Sequence, residues 1–132
     1  MTINLEIVRE IDFMSVPLAN DLGRPNYQGL PVTRGVYIFH IGNLNDNSWL
    51  DTEKILYIGE TNRQGLQSRI PINYRGKIRP LIDMGMFALN NVYISYCQIE
   101  DAEPISAPKL IERALLHAYE ERFDALPLCN NE

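Results

Sequence analysis

The chain has 132 residues, 45% hydrophobic and 22% charged, with a formal net charge of −5. That length fits one domain able to bury roughly two-thirds of its unfolded surface, and the composition excludes disordered, collagenous and disulfide-scaffold classes. No apolar run approaches the roughly 18 residues needed to cross a bilayer. Glu6, Arg9, Glu10 and Asp12 stand where an export signal needs an apolar core, so the expected setting is cytoplasmic.

In chain order, residues 1–34 read as an N-terminal arm packed on the core. Leu5, Ile7, Val8, Ile11, Phe13 and Met14 suit helix or strand, and Pro17, Gly23 and Pro25 then interrupt any regular element. Gly35 to Ile41 is β-branched and aromatic, which predicts a strand. The stretch 42–51 (GNLNDNSWLD) has turn chemistry, and Ile55 to Ile58 reads as a second strand ending at Gly59, so a hairpin is expected. Gln64 to Ile70 predicts a short helix stopped before Pro71, and Arg79 to Leu89 a second helix. Val92 to Ile99 is the clearest strand. Ser106 as N-cap and Pro108 in the first turn open a long helix through Phe123. The order predicts an α+β fold, a small, mainly antiparallel, three-stranded sheet flanked by helices.

Charge is unevenly spread. Between Thr61 and Ile82 there is no Asp or Glu, yet Arg63, Arg69, Arg75, Lys77 and Arg79 fall there. On an acidic protein such a local basic stripe suits a phosphate backbone, or else is a solvated helix face. Cys97 and Cys129 match no metal-binding spacing and read as free thiols of a reducing compartment.

Four features bear on chemistry. Tyr37 follows Gly35 by two positions and Tyr57 precedes Gly59 by two, on neighbouring strands; glycine in a strand marks close approach of backbone to something else. Arg69 sits among apolar neighbours where its fork suits a phosphate. Glu112 falls inside the apolar arc of the long helix, between the directions of Tyr119 and Phe123, so its carboxylate is expected to be paired, protonated or bound to a cation, or else to reach solvent at the arc's boundary. Asn130 follows in Pro127-Leu128-Cys129-Asn130.

Together, Gly-Val-Tyr at 35–37, Tyr-Ile-Gly at 57–59, Arg69, the LIERALLHAY helix and the Pro-x-x-Asn ending resemble the GIY-YIG nuclease family, in the family's order and over 35–130. The resemblance implies a three-stranded sheet flanked by helices that cleaves DNA phosphodiesters with one divalent cation, Mg²⁺ or Mn²⁺. It implies that Tyr37 acts as, or orients, the general base and that Tyr57 joins the hydrogen-bond network. Arg69 binds the scissile phosphate, Glu112 is the metal ligand, and Asn130 supports the site. Arg63, Arg75, Lys77 and Arg79 are then the expected DNA contacts.

Three departures from the family pattern stand out. The 19 residues between Tyr37 and Tyr57 exceed the gap of compact members, making 42–51 an insertion of the kind restriction-type members carry. Asn73, four after Arg69, stands where some members have histidine. No appended DNA-binding domain is visible, which points to targeting by a partner protein or by a homodimer. The leading expectation is an active endonuclease; the alternative is a catalytically weak or inactive module of the same fold, acting through protein or nucleic-acid contacts.

Overall fold

The computed structural model describes residues 11–42 and 54–130. The expectations for Leu5, Ile7 and Val8 and for most of the 42–51 insertion lie outside them. A four-stranded antiparallel sheet runs in the order β1-β4-β2-β3: β1 is Met14–Pro17, β2 Gly35–Ile41, β3 Ile55–Thr61 and β4 Val92–Gln98. The α+β class is as expected, but the sheet has one strand more than the three read from sequence. Met14–Pro17, assigned above to an arm, pairs with Tyr96–Tyr93 of β4. Four residues ending in proline carry almost no strand signal, and the sheet edge is where proline's missing N–H is tolerated. Within the described part of the arm, Leu18 and Leu30 are buried in the core with Tyr27 against them.

Strand alternation splits the core into two layers. On one face Tyr37, Phe39, Leu56, Ile94 and Tyr96 meet Leu66, Ile70, Tyr74 and Ile78. On the other, Val36, Ile38, Ile55, Ile58 and Cys97 meet Ala114, Leu115 and Tyr119 of the long helix. No helix among the described residues is long and apolar enough to cross a membrane.

The first face is covered by one continuous helical run. It comprises α1 (Leu66–Asn73), a π-helical turn (Tyr74–Ile78) and α2 (Arg79–Asp83). The sequence reading stopped this helix before Pro71, yet Pro71 lies inside it. Interior proline costs about 3 kcal/mol. Leu66, Ile70, Tyr74 and Ile78 are all buried, and each such burial is worth roughly 1.5–3 kcal/mol, so packing wins. Their constant spacing of four also explains the π turn. Four residues overshoot an α-helical turn by about 40°, and a wider turn brings the stripe back onto the sheet. The helix expected over Arg79–Leu89 ends early because Gly85, at φ +80°, makes a Schellman stop: its N–H bonds Ile82 and that of Met86 bonds Leu81.

The second face is covered by α3 (Ala107–Phe123). Ser106 is its N-cap by position, but its hydroxyl makes no capping bond. The helix entry is held instead by Arg34, whose guanidinium donates to the carbonyls of Glu100 (2.7 Å), Glu103 (2.7 Å) and Pro104 (3.0 Å) and to Asn62 Oδ1 (3.0 Å).

Candidate active site

Strand β3 was expected to end at Gly59 but continues to Thr61. The reason lies in Tyr37, paired with Gly59 across the β2–β3 ladder. A Cβ at position 59 would stand 2.6 Å from Tyr37 Cζ, 2.7 Å from its hydroxyl and 2.7 Å from Tyr57 Cε2. Glycine here is the space into which both tyrosine rings fit, with centroids 6.2 Å apart. Gly35 has a different role: a Cβ there would stand 2.1 Å from the Cys97 carbonyl oxygen, so it lets β2 lie close against β4.

Tyr37 is 1% exposed and donates its hydroxyl proton to Asn73 Oδ1. Asn73 Nδ2 in turn donates to the Tyr57 hydroxyl at 3.4 Å. Arg69, one helical turn before Asn73 on α1, acts electrostatically on both tyrosines. Burial pushes the Tyr37 hydroxyl well above the ordinary tyrosine range; Tyr57 and Glu112 push the same way, and Arg69 opposes them. Tyr57 is also raised, by burial first and then by Glu112.

Glu112 reaches the site from α3. Its side chain is 15% exposed, in keeping with its place on the apolar arc, and Lys109 Nζ lies 3.6 Å from Oε1. Burial holds its carboxyl above the usual range, Lys109 pulls it down, and Glu60 pushes it up. Glu60 follows Gly59 directly; its nearness to Glu112 was not anticipated, and the strand that runs on past Gly59 carries it there. Among the described residues no three His, Cys, Asp or Glu side chains group as a metal cage. A single desolvated carboxylate is a hard oxygen donor suited to Mg²⁺, which keeps several waters and takes its other oxygens from substrate. The residues present therefore fit such a cation, with Glu112 as the protein ligand.

Asn130 closes the edge of the site. Its amide donates to the Ile58 carbonyl (2.9 Å) and accepts from the Ile58 N–H (2.9 Å), pairing the outer edge of β3 midway between Tyr57 and Gly59. Asn73 thus joins Tyr37 and Tyr57, Arg69 and Glu112 act electrostatically on both, and Asn130 caps the strand edge beside Tyr57.

The remaining basic residues have different neighbours. Arg63 lines a shallow cleft with Arg34, Asp101 and Glu103. Arg75 acts on Tyr27, and Arg79 pairs with Asp83 at 3.8 Å. Lys77, half-buried, lies within electrostatic reach of Cys129, next to Asn130. Arg75 and Arg79, four apart on the helical run, both lie near the Tyr27–Tyr74 pair.

Other reactive groups lie outside the site or are quenched. Burial pushes both Cys97 and Cys129 up to about 11, leaving inert free thiols. His40 is fully buried under the opposite face, bonded to Gly42 O (3.0 Å) and Ser95 Oγ (2.7 Å), and Ser95 meets Ser15. His117 pairs with Glu121 at 3.0 Å on the exposed side of α3.

The chain matches no known protein-family model, no curated protein and no solved structure.

Proposed function

We propose that this protein is a metal-dependent endonuclease that hydrolyses DNA phosphodiesters with one divalent cation, Mg²⁺ or Mn²⁺, and belongs with the GIY-YIG nucleases it resembles. One observation carries the reading: the buried Tyr37 and half-buried Tyr57 hydroxyls, joined by Asn73, lie within electrostatic reach of a guanidinium, Arg69, and a desolvated carboxylate, Glu112. In this reading Arg69 binds and orients the scissile phosphate through its fork of donors. Tyr37 orients the attacking water, Tyr57 donates to a phosphate oxygen, and Glu112 holds the cation. When bound, the cation supplies Lewis-acid stabilisation of the charge that develops on the phosphate. Asn130 keeps β3, and hence Tyr57, in register. Making a double-strand break with one site per chain requires a homodimer or two successive nicks.

The test is plasmid nicking by purified protein with Mg²⁺ or Mn²⁺ and with chelator. Cleavage is expected only with metal, lost in Glu112→Ala and reduced far more in Tyr37→Phe than in Cys97→Ser. Full activity of Glu112→Ala removes it as the ligand.

The second reading, a weak or inactive module that works by contact, is favoured by the upward push on Tyr37, which opposes a phenolate base at neutral pH. DNA binding that survives chelation, with no cleavage under any metal, would establish it.

A further inference from the structure

The hydrogen bonds of the site run in one direction. A guanidinium carries no acceptor, so Arg69, which acts electrostatically on Tyr37, cannot take the proton of that hydroxyl. That proton goes to Asn73 Oδ1, buried beneath it. With its oxygen engaged there, the Asn73 amide turns its NH₂ toward Tyr57, whose oxygen accepts. An NH₂ group also only donates, so the Tyr57 O–H points away from Asn73. Among the described residues no hydrogen-bond acceptor takes that proton. An amide neither gains nor loses a proton at ordinary pH, so the order cannot reverse as it would through an imidazole or a carboxyl.

We propose that Asn73 is a positioning residue that fixes opposite roles on the two tyrosines. Tyr37 stays a neutral phenol whose remaining lone pair faces the site, and Tyr57 presents an O–H donor to an anionic oxygen. The polarity follows from the contacts alone; that the anion is a phosphodiester oxygen rests on the function proposed above. The consequence is that Tyr37 orients water and does not itself become the phenolate base, because its proton is committed to a group that cannot pass it on.

The discriminating variant is Asn73→Asp, nearly isosteric but acceptor-only when ionised. It draws both tyrosine protons inward and turns a lone pair of Tyr57 toward the anion. Losing a hydrogen bond to a charged group corresponds to about a ten- to hundredfold fall in kcat/KM. A protonated Asp regains one O–H, so the ratio of variant to wild-type activity should climb as pH falls. Arg69 and Glu112 act on both tyrosines, and Glu60 and Cys129 on Tyr57; these groups are common to variant and wild type, so their effect largely cancels in that ratio. Tyr57→Phe should show a similar loss, and adding it to Asn73→Asp should cost little more. A pH-independent ratio, or fully additive losses, overturns the proposal.

Should Asn73→Asp fail to fold, or the wild type prove inactive on DNA with Mg²⁺ and Mn²⁺, the tyrosine hydroxyl protons decide. Nuclear magnetic resonance should show a downfield, slowly exchanging Tyr37 hydroxyl in the wild type, absent in Asn73→Leu. Its persistence unchanged in Asn73→Leu, or a tyrosinate ultraviolet signature at neutral pH, rejects the assigned polarity. Inactivity with the hydroxyl behaving as expected rejects only the phosphodiester reading.

Discussion

The side-chain amide of Asn130 pairs with both backbone polar groups of Ile58, standing in for the strand that β3 lacks on its outer edge. An unpaired edge frays, and the residues either side of Ile58 are Tyr57 and Gly59, on which the tyrosine cluster rests.

Asn130→Ala is therefore expected to destabilise the fold by about 1–3 kcal/mol, from two bonds at roughly 0.5–1.5 kcal/mol each. Urea unfolding measures the loss, and amide exchange at Ile58 should accelerate in the variant. Unchanged exchange at Ile58 would mean that the edge holds without its cap.

How much of this was legible in the sequence differs by layer. Strands β2 and β4 were readable because they are long, β-branched and buried on both faces. Strand β1 was not, since four residues gain their structure from β4 and not from their own pattern. The helix through Pro71 was misread because local proline chemistry was weighed without the stripe of Leu66, Ile70, Tyr74 and Ile78 that outweighs it. Of the candidate site, Tyr37, Gly59, Arg69 and Glu112 were singled out by the resemblance to the GIY-YIG pattern, each being weak by type and spacing alone. Asn73 was noticed only as a departure from the resembled pattern. Its bridging role depends on β2, β3 and α1 meeting in space, and single-sequence periodicity does not report that. Arg34 was missed altogether, because its acceptors are backbone carbonyls, which leave no mark in a sequence.

Acid should destabilise the protein through His40. Burial lowers its pKa from 6.5 to about 4, so the unfolded chain binds the proton first. The stability this group contributes is complete above about pH 6.5 and is lost as pH falls toward 4, on the order of 3 kcal/mol at most. Glu112 acts oppositely: its raised folded-state pKa favours the protonated fold, so its ionisation costs stability as pH rises through that value. At neutral pH Glu112→Gln should leave metal-free stability equal or higher, while His40→Gln should flatten the acid limb. Thermal unfolding across pH 4–7 checks both. A drop in Tm for Glu112→Gln at neutral pH would mean that its ion pair with Lys109 outweighs the desolvation.

Lys109 occupies the carboxylate that the proposed cation needs. At 3.6 Å, and half-exposed, its ammonium is a weakly held partner that a divalent ion must displace. Lys109→Met should tighten Mn²⁺ binding several-fold by calorimetry, whereas Glu112→Gln should abolish it. Weaker Mn²⁺ binding in Lys109→Met would make the lysine a contributor to the cation site and not a competitor.

The last prediction concerns which cations meet DNA. Each duplex phosphate neutralised adds about 0.9 to the slope of log affinity against log salt. Were Arg63, Arg75, Lys77 and Arg79 all to face phosphates, removing Arg75, Lys77 and Arg79 together would flatten that slope by up to about 3. Their observed placement argues for less. Arg79 is already paired with Asp83 and Arg75 stands by Tyr27, whereas Lys77 lies near Cys129, beside the strand edge that Asn130 closes. Lys77→Ala alone should therefore take about 0.9 off the slope, and Arg75→Ala with Arg79→Ala distinctly less than twice that. Arg63→Ala should leave the slope unchanged, since Asp101 and Glu103 share its cleft and repel phosphate. Arg69→Ala should lower turnover more than affinity, because the charge it faces is greatest in the transition state. Phosphate contacts do not read bases, so every change in slope should be the same on unrelated DNA sequences. If Arg63→Ala flattens the slope while Lys77→Ala does not, DNA lies along the entrance of α3 and not beside Lys77.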